Sequence, residues 1–80
     1  MKRIEGMHPG NMEVAEDVHV SRAAMIGGDL MVRGPVRVIV DGMVGGTLIA
    51  DGSDVELNGM AQRVETRGKG RIFGPGMRGK

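Results

Sequence analysis

The residues able to take part in acid–base or metal chemistry are few and scattered. The chain has two histidines, His8 and His19, and no cysteine. A zinc site needs three or four convergent ligands, and the spacing of these residues does not provide them. We therefore predict no metal site and no cofactor.

Carboxylates and hydroxyls give no better basis for catalysis. Four aspartates fall at expected turns or outward positions, where solvated side chains are typical: Asp29, Asp41, Asp51 and Asp54. Ser21 and Ser53 have no neighbouring base and no strand-turn-helix context. The glycines open no expected helix, so a phosphate cradle is not predicted. We predict that the chain has no catalytic residue and is not an enzyme.

Methionine spacing gives the clearest indication of a binding surface. An 18-residue step, with one slip, relates four methionines, and the same step relates a second pair of apolar residues. If their neighbours point inward, these side chains form exposed apolar columns, which usually mark contact surfaces. The predicted partner-binding residues are Met7, Met25, Met43, Met60, Met31 and Ile49. The alternative is that Met25 and Met43 lie beneath a terminal segment as part of a local core.

An 18-residue repeat must position these side chains. Residues 25–34 (MIGGDLMVRG) align with residues 43–52 (MVGGTLIADG), glycine on glycine and aliphatic on aliphatic. Within the repeat, apolar residues recur at six-residue steps: Val14, Val20, Ile26, Val32, Val38, Val44 and Ala50. A companion series lies two residues earlier and includes Val36. Because residues i and i+2 share a strand face, each step predicts one flat face with two inward side chains.

The pattern predicts an all-β fold, a small single-stranded triangular β-helix (solenoid) of about four 18-residue coils. We expect Asp51 to stack on Arg33 as an exposed ion pair. Because Ser53 adds a residue, Val55 should lie nineteen residues after Val36. The repeat ends at Lys69, so residues 1–69 are the predicted β-helix domain.

Residues 70–80 are the predicted basic, glycine-rich C-terminal cap or tail, and Ile72 with Phe73 favours a cap. Residues 62–80 carry six basic residues against one acidic residue, a net charge of +5. This segment is the basis for any contact with nucleic acid or an anionic membrane.

The run of residues 42–62 (GMVGGTLIADGSDVELNGMAQ) reads as G-x-V-x-G-x-L-x-A followed by V-x-L-x-G. It resembles the bactofilins, polymer-forming bacterial cytoskeletal proteins, over about residues 10–68. The resemblance implies a right-handed triangular β-helix and a homo-oligomer or polymer. Residues 24–27 are also similar to the left-handed β-helix of hexapeptide-repeat acyltransferases. Val or Leu at the small position of most other faces favours the bactofilin-type cross-section.

Size and charge restrict the function further. The chain has 80 residues, one aromatic residue and a net charge of +1, so no bulk attraction to nucleic acid follows. Neither a membrane-spanning apolar stretch nor an apolar secretory signal is evident, so a cytoplasmic location is expected. A non-enzymatic, self-assembling structural module is the leading interpretation. The alternatives are a small protein-binding module, such as an immunity or antidote protein that inhibits one partner, and a fragmentary hexapeptide-type transferase.

Overall fold

The computed structural model describes residues 1–78, which form ten β-strands and no helix. The strands are β1 (Lys2–His8), β2 (Met12–Val14), β3 (Val18–Ile26), β4 (Leu30–Arg33), β5 (Arg37–Val40), β6 (Met43–Asp51), β7 (Asp54–Leu57), β8 (Met60–Arg67), β9 (Arg71–Phe73) and β10 (Met77–Arg78). Strands β1 and β2 form the first coil and β3 and β4 the second. Strands β5 and β6 form the third coil, β7 and β8 the fourth, and β9 and β10 the fifth.

All strand pairs are parallel, and strands of the second, third and fourth coils pair with the neighbouring coils of the stack. The first face contains the first halves of β1 and β3, then β5, β7 and β9. The second face contains the second halves of β1 and β3, the first halves of β6 and β8, and β10. The third face contains β2, β4 and the second halves of β6 and β8. The predicted β-solenoid is confirmed, with about 17 residues per turn.

A single column of aliphatic side chains fills the interior. The six-residue series from Val20 to Ala50 is buried throughout, as predicted, and Val14 in the first coil is half-buried. Leu30, Leu48 and Leu57 have no exposed surface. Burial of such side chains contributes roughly 1.5–3 kcal/mol each. This column takes the place of the aromatic core that the composition lacks.

The stacking register differs from the predicted one on the first face. Val20 pairs with Val40, twenty residues later, and not with Val38. The extra residues lie at the corner after Val20, where Ser21 is buried and its Oγ accepts a hydrogen bond from the backbone N–H of Ala23 (3.2 Å). This side chain stabilises a wider corner in the second coil than in the third.

The following coils correct two further expectations. Val55 pairs with Val38, seventeen residues earlier, so the predicted nineteen-residue step from Val36 is wrong. Val36 lies half-buried at a corner, and Val40 takes the inward position with no exposed surface. The buried Ser53 Oγ donates a hydrogen bond to the carbonyl of Val32 (3.1 Å), which fixes the corner that precedes Val55.

Arg33 also has a different partner from the predicted one. Arg33 and Asp51 are in register, but the Nε of Arg33 lies 3.1 Å from Oε2 of Glu13. The guanidinium therefore reaches back to the first coil, and the expected ion pair with Asp51 is wrong.

The basic segment 70–80 adds strands β9 and β10 to the stack as far as residue 78, and residues 79–80 lie outside the described residues. Ile72 is half-buried and packs against the core. The Nε of Arg71 lies 3.1 Å from Oδ1 of Asp54, one coil earlier. This hydrogen bond lowers the pKa of Asp54 and raises the pKa of Arg71. The fifth coil thus continues the register of the fourth.

Candidate functional site

The methionine column runs along the second face in register. Cα pairing joins Met7, Met25, Met43, Met60 and Met77 at successive steps of 18, 18, 17 and 17 residues. The side chains of the first four are exposed, from 37% at Met43 to 72% at Met7. The geometry predicted for these four is therefore present, and partner binding by them stays a prediction.

A shallow groove of about 560 Å³ runs beside this column. Met25, Met43 and Met60 line one side, and residues of the corner between the first and second faces line the other: Arg22, Asp41 and Asn58. Between these two rows lie the inward positions occupied by Ala24, Gly42 and Gly59. The groove therefore combines an apolar wall with a polar wall.

Close approach of the coils explains the glycines in the floor of the groove. A Cβ on Gly42 would meet the carbonyl oxygens of Ala24 and Ser21, and a Cβ on Gly59 would meet the carbonyl oxygen of Gly42. No side chain fits between these backbones without a shift. The floor is consequently formed by backbone, which makes the groove open and shallow.

The polar wall contains a hydrogen-bonded pair. His19 Nε2 lies 2.6 Å from Oδ2 of Asp41, and Asn58 Nδ2 donates to Oδ1 of the same carboxylate (2.9 Å). These two hydrogen bonds, the first from His19, hold the pKa of Asp41 below its usual value. Arg3 and Arg22 line the same small concavity.

This pair has no nucleophile beside it in the described structure. Ser21, the hydroxyl residue nearest in sequence to His19, is buried and its Oγ accepts a backbone hydrogen bond. Within residues 1–78 no three His, Asp or Glu side chains converge as metal ligands. His8 lies in the first coil opposite Ile26 and contacts the carbonyl oxygen of Glu5 (2.9 Å). The two histidines therefore have different hydrogen-bond partners and do not form a pair.

The second predicted column is not an exposed apolar surface. Met31 and Ile49 pair in register on the third face, so they lie on a different face from the methionine column. Ile49 is only 8% exposed, because it lies between Met31 and Glu65 on the adjacent strands. Met31 is half-buried, and its Sδ accepts a hydrogen bond from Arg33 Nε (3.4 Å). The expected exposure of Ile49 is therefore wrong, and partner binding by Met31 and Ile49 stays a prediction.

The two ends of the stack expose strand edges and core side chains. Within the described residues β1 and β2 pair along one edge only, as do β9, β10 and the second half of β8. A concavity of about 570 Å³ opens at the N-terminal end, where Ile4, Met12 and Val14 form its apolar part. Val64 and Ile72 are half-buried near the opposite end.

One strand at each end of the stack, β1 and β8, carries an ion pair that the sequence did not lead us to predict. Arg3 Nε lies 3.0 Å from Oε2 of Glu5 in β1, and Arg67 Nε lies 2.6 Å from Oε2 of Glu65 in β8. Both pairs join residues i and i+2 on the outer side of one strand. The signal in the sequence is this shared spacing, with the order of the charges reversed.

Comparison with family models, curated proteins and solved structures gives no match for this chain. Among residues 1–78 no helix has the length and apolar character needed to cross a membrane.

Proposed function

We propose that this chain is a non-enzymatic structural module that self-assembles through the open ends of its β-solenoid, in the manner of the bactofilins. The observation that carries the proposal is that, within residues 1–78, the strands at both ends of the stack pair along one edge only. Edge strands pair readily with other chains unless they are covered, interrupted or protected by charge. Contacts between identical chains would satisfy the free N–H and C=O groups at both ends.

The distribution of half-buried apolar residues supports end-to-end contact. Five such residues pack against the core, and four of them lie in the first, fourth or fifth coil: Met12, Val14, Val64 and Ile72. Stacking of one copy on another would remove their remaining surface from water, at roughly 25 cal/mol per Å² of apolar area. Association therefore extends the same apolar column that stabilises the single chain.

The methionine column favours a second candidate, a binding module for one other protein. Four exposed methionines in register form a continuous apolar strip beside a groove. Methionine adapts its shape to irregular partners, so such strips suit binding surfaces. In this case the free protein would be a monomer or dimer, and the strip would be covered by a single tightly bound partner.

Sizing of the purified chain tests the first proposal. We expect light scattering to detect species much larger than the 8.5 kDa chain, in amounts that grow with concentration and need no nucleotide. A monomer at every concentration would contradict self-assembly and leave the second candidate.

Charge substitutions test whether the methionine column takes part. Met25→Glu and Met43→Glu each place one carboxylate on the column, and Gln62→Glu places one on the exposed surface outside it. If the column is a contact surface, the first two variants will assemble or bind less than the Gln62→Glu control. If all three behave alike, the column has no role.

A further inference from the structure

The second face carries two rows of side chains with different chemistry. One row is the methionine column, whose first four side chains are exposed. The other row follows the corner between the first and second faces, with one charged or amide side chain in each of the first four coils: Glu5, Arg22, Asp41 and Asn58. The two rows run side by side along the stack, so each of these coils presents a methionine beside a polar group.

Arg22 forms no close ion pair within the described part of its own chain. Its side chain is exposed, and none of the ion pairs among residues 1–78 includes it. Arg22 lines the same concavity as Asp41, whose side chain is 33% exposed and accepts a hydrogen bond from Asn58. A carboxylate has about four acceptor positions, so that of Asp41 retains room for a guanidinium. Both charges are therefore open to a second molecule.

We infer that two copies of this chain pair antiparallel through their second faces, about a two-fold axis that lies between the second and third coils and runs along the strands. This axis keeps each row on its own side, so methionine meets methionine and corner residue meets corner residue. It reverses the order of the coils, so the second coil of one copy faces the third coil of the other. The contact uses the side of the stack and goes beyond the end-to-end contact of the proposed function.

Charge complementarity selects this arrangement. Arg22 of each copy lies opposite Asp41 of the other, and the symmetry forms this ion pair twice. Glu5 lies opposite the amide of Asn58, and no like charges meet. An axis through the second coil would place Arg22 against Arg22, and an axis through the third coil would place Asp41 against Asp41. With the axis parallel to the stack, the polar rows lie on opposite sides and neither ion pair forms. Complementary charges of this kind fix register and orientation.

The apolar surface fits the same register. Met25 lies opposite Met43, and Met7 lies opposite Met60, so all four exposed methionines are covered. Small residues flank the column on both sides, which allows close approach of the two faces: Ala24, Gly42 and Gly59 on one side, Gly27 and Gly45 on the other. The shallow grooves of the two copies then face each other, and flexible methionine side chains suit such an irregular space.

Chemical cross-linking tests the lateral contact separately from end stacking. The chain has no cysteine of its own. In the antiparallel pair the two copies of position 43 lie one layer apart across packed sheets, a separation of about 11 Å. Position 43 lies in the third of five coils, so in end-stacked copies the same two positions are about five layers, or roughly 24 Å, apart. A bifunctional thiol reagent with a reach of about 11 Å should therefore join Met43→Cys protein into a covalent dimer. Arg37→Cys, exposed on the first face, is the control and should stay uncoupled.

Reversal of one charge in the Met43→Cys protein tests the ion pairs. Arg22→Glu places a carboxylate opposite Asp41 at both symmetric positions. We expect this variant to need at least about tenfold more protein for the same yield of covalent dimer. Arg37→Glu makes the same change of charge at an exposed arginine of the first face, so it should leave the yield unchanged.

Restoration tests the antiparallel orientation. Asp41→Lys alone should also reduce the yield. A chain with both Arg22→Glu and Asp41→Lys should recover it, as should an equimolar mixture of the two single variants, because opposite charges then face each other at both positions. In a pair with its axis parallel to the stack, neither recovers. Because Asp41→Lys removes contacts with His19 and Asn58, denaturant unfolding checks that each variant is folded. If Asp41→Lys does not fold, the comparison of Arg22→Glu with Arg37→Glu decides.

The outcomes separate this contact from the proposed end-to-end assembly. If Met43→Cys gives no covalent dimer, or if Arg22→Glu couples as well as Arg37→Glu, the lateral pair is overturned, and large species of the wild type would still support end stacking. Failure of folded variants to recover overturns the antiparallel orientation. A covalent Met43→Cys dimer without large species of the wild type would support the lateral pair and contradict end stacking.

Discussion

Nε2 of His19 lies 2.6 Å from Oδ2 of Asp41, and this contact joins the second coil to the third across the corner of the solenoid. Asn58 in the fourth coil donates to the other oxygen of the same carboxylate (2.9 Å). Asp41 therefore connects three successive coils through its side chain.

This contact predicts a pH dependence of stability. The pKa of Asp41 is held below its usual value of 3.8, first by the hydrogen bond with His19 and then by that with Asn58. A lowered pKa means that the stabilisation is fully present above that usual value and is lost as the pH falls through the folded-state pKa. Asp41→Asn should lower the free energy of unfolding by about 1 kcal/mol near neutral pH and by little at about pH 2. Denaturant unfolding of both proteins across this range measures the difference, and Asp51→Asn serves as the control.

The close packing at the floor of the groove predicts that one added methyl group at Gly59 will strongly lower the stability of the fold. Gly59→Ala places a Cβ against the carbonyl oxygen of Gly42, so the coils must separate locally. We expect a loss of about 2–3 kcal/mol, or roughly 10–20 °C in Tm for a domain of this size. The matched control is Gly27→Ala, whose Cβ would lie 3.4 Å from Pro9 Cα in ordinary contact. Equal melting temperatures for the two variants would show that the corner is not tightly packed.

Side-chain hydrogen-bond acceptors on the corner between the second and third faces predict that asparagine and alanine at position 29 will differ in stability. Asn11 Oδ1 accepts the backbone N–H of Asp29 (2.8 Å), and Asp29 Oδ1 accepts the backbone N–H of Thr47 (2.8 Å). Asp29→Asn keeps an acceptor there and should cost a few tenths of a kcal/mol, whereas Asp29→Ala should cost about 1 kcal/mol. Thermal unfolding compares them, and an alanine variant as stable as the asparagine variant would argue against this hydrogen bond.

Two valines distinguish the observed register from the one that strict periodicity predicts. Val40 has no exposed surface, and Val36 is half-buried at a corner. Val40→Ala should lower the free energy of unfolding by about 2 kcal/mol, since it removes buried methyl groups and leaves a cavity. Val36→Ala should cost less than half as much. The reverse order of stabilities would support the eighteen-residue register on the first face.

The repeating pattern was sufficient to predict the fold, its three faces and most of the core. Few other architectures place glycine and aliphatic residues at fixed positions of an 18-residue repeat. The four-methionine column follows from the same repeat. What periodicity could not predict is where a corner takes extra residues. Ser21 looks like an ordinary polar residue in the sequence, yet its buried side chain widens one corner and changes the register of Val20 and Val40.

The exposed fraction of a side chain was less predictable than the direction in which it points. Ile49 points outward, as its phase indicates, but the neighbouring strands supply side chains that cover it. Met43 points outward at an equivalent phase and is 37% exposed. The difference depends on which side chains lie one coil above and below, and long side chains such as Glu65 can turn toward an apolar neighbour. A single sequence does not determine those rotamers.

Every strand pairing in this solenoid joins residues sixteen to twenty positions apart. Each coil therefore closes a loop of nearly the same length, and the entropic cost of adding the next coil does not grow along the chain. Folding should be able to nucleate in any pair of neighbouring coils and proceed like a zipper in both directions. Duplication or deletion of one whole coil during evolution would then change the height of the molecule while leaving every remaining junction as it was.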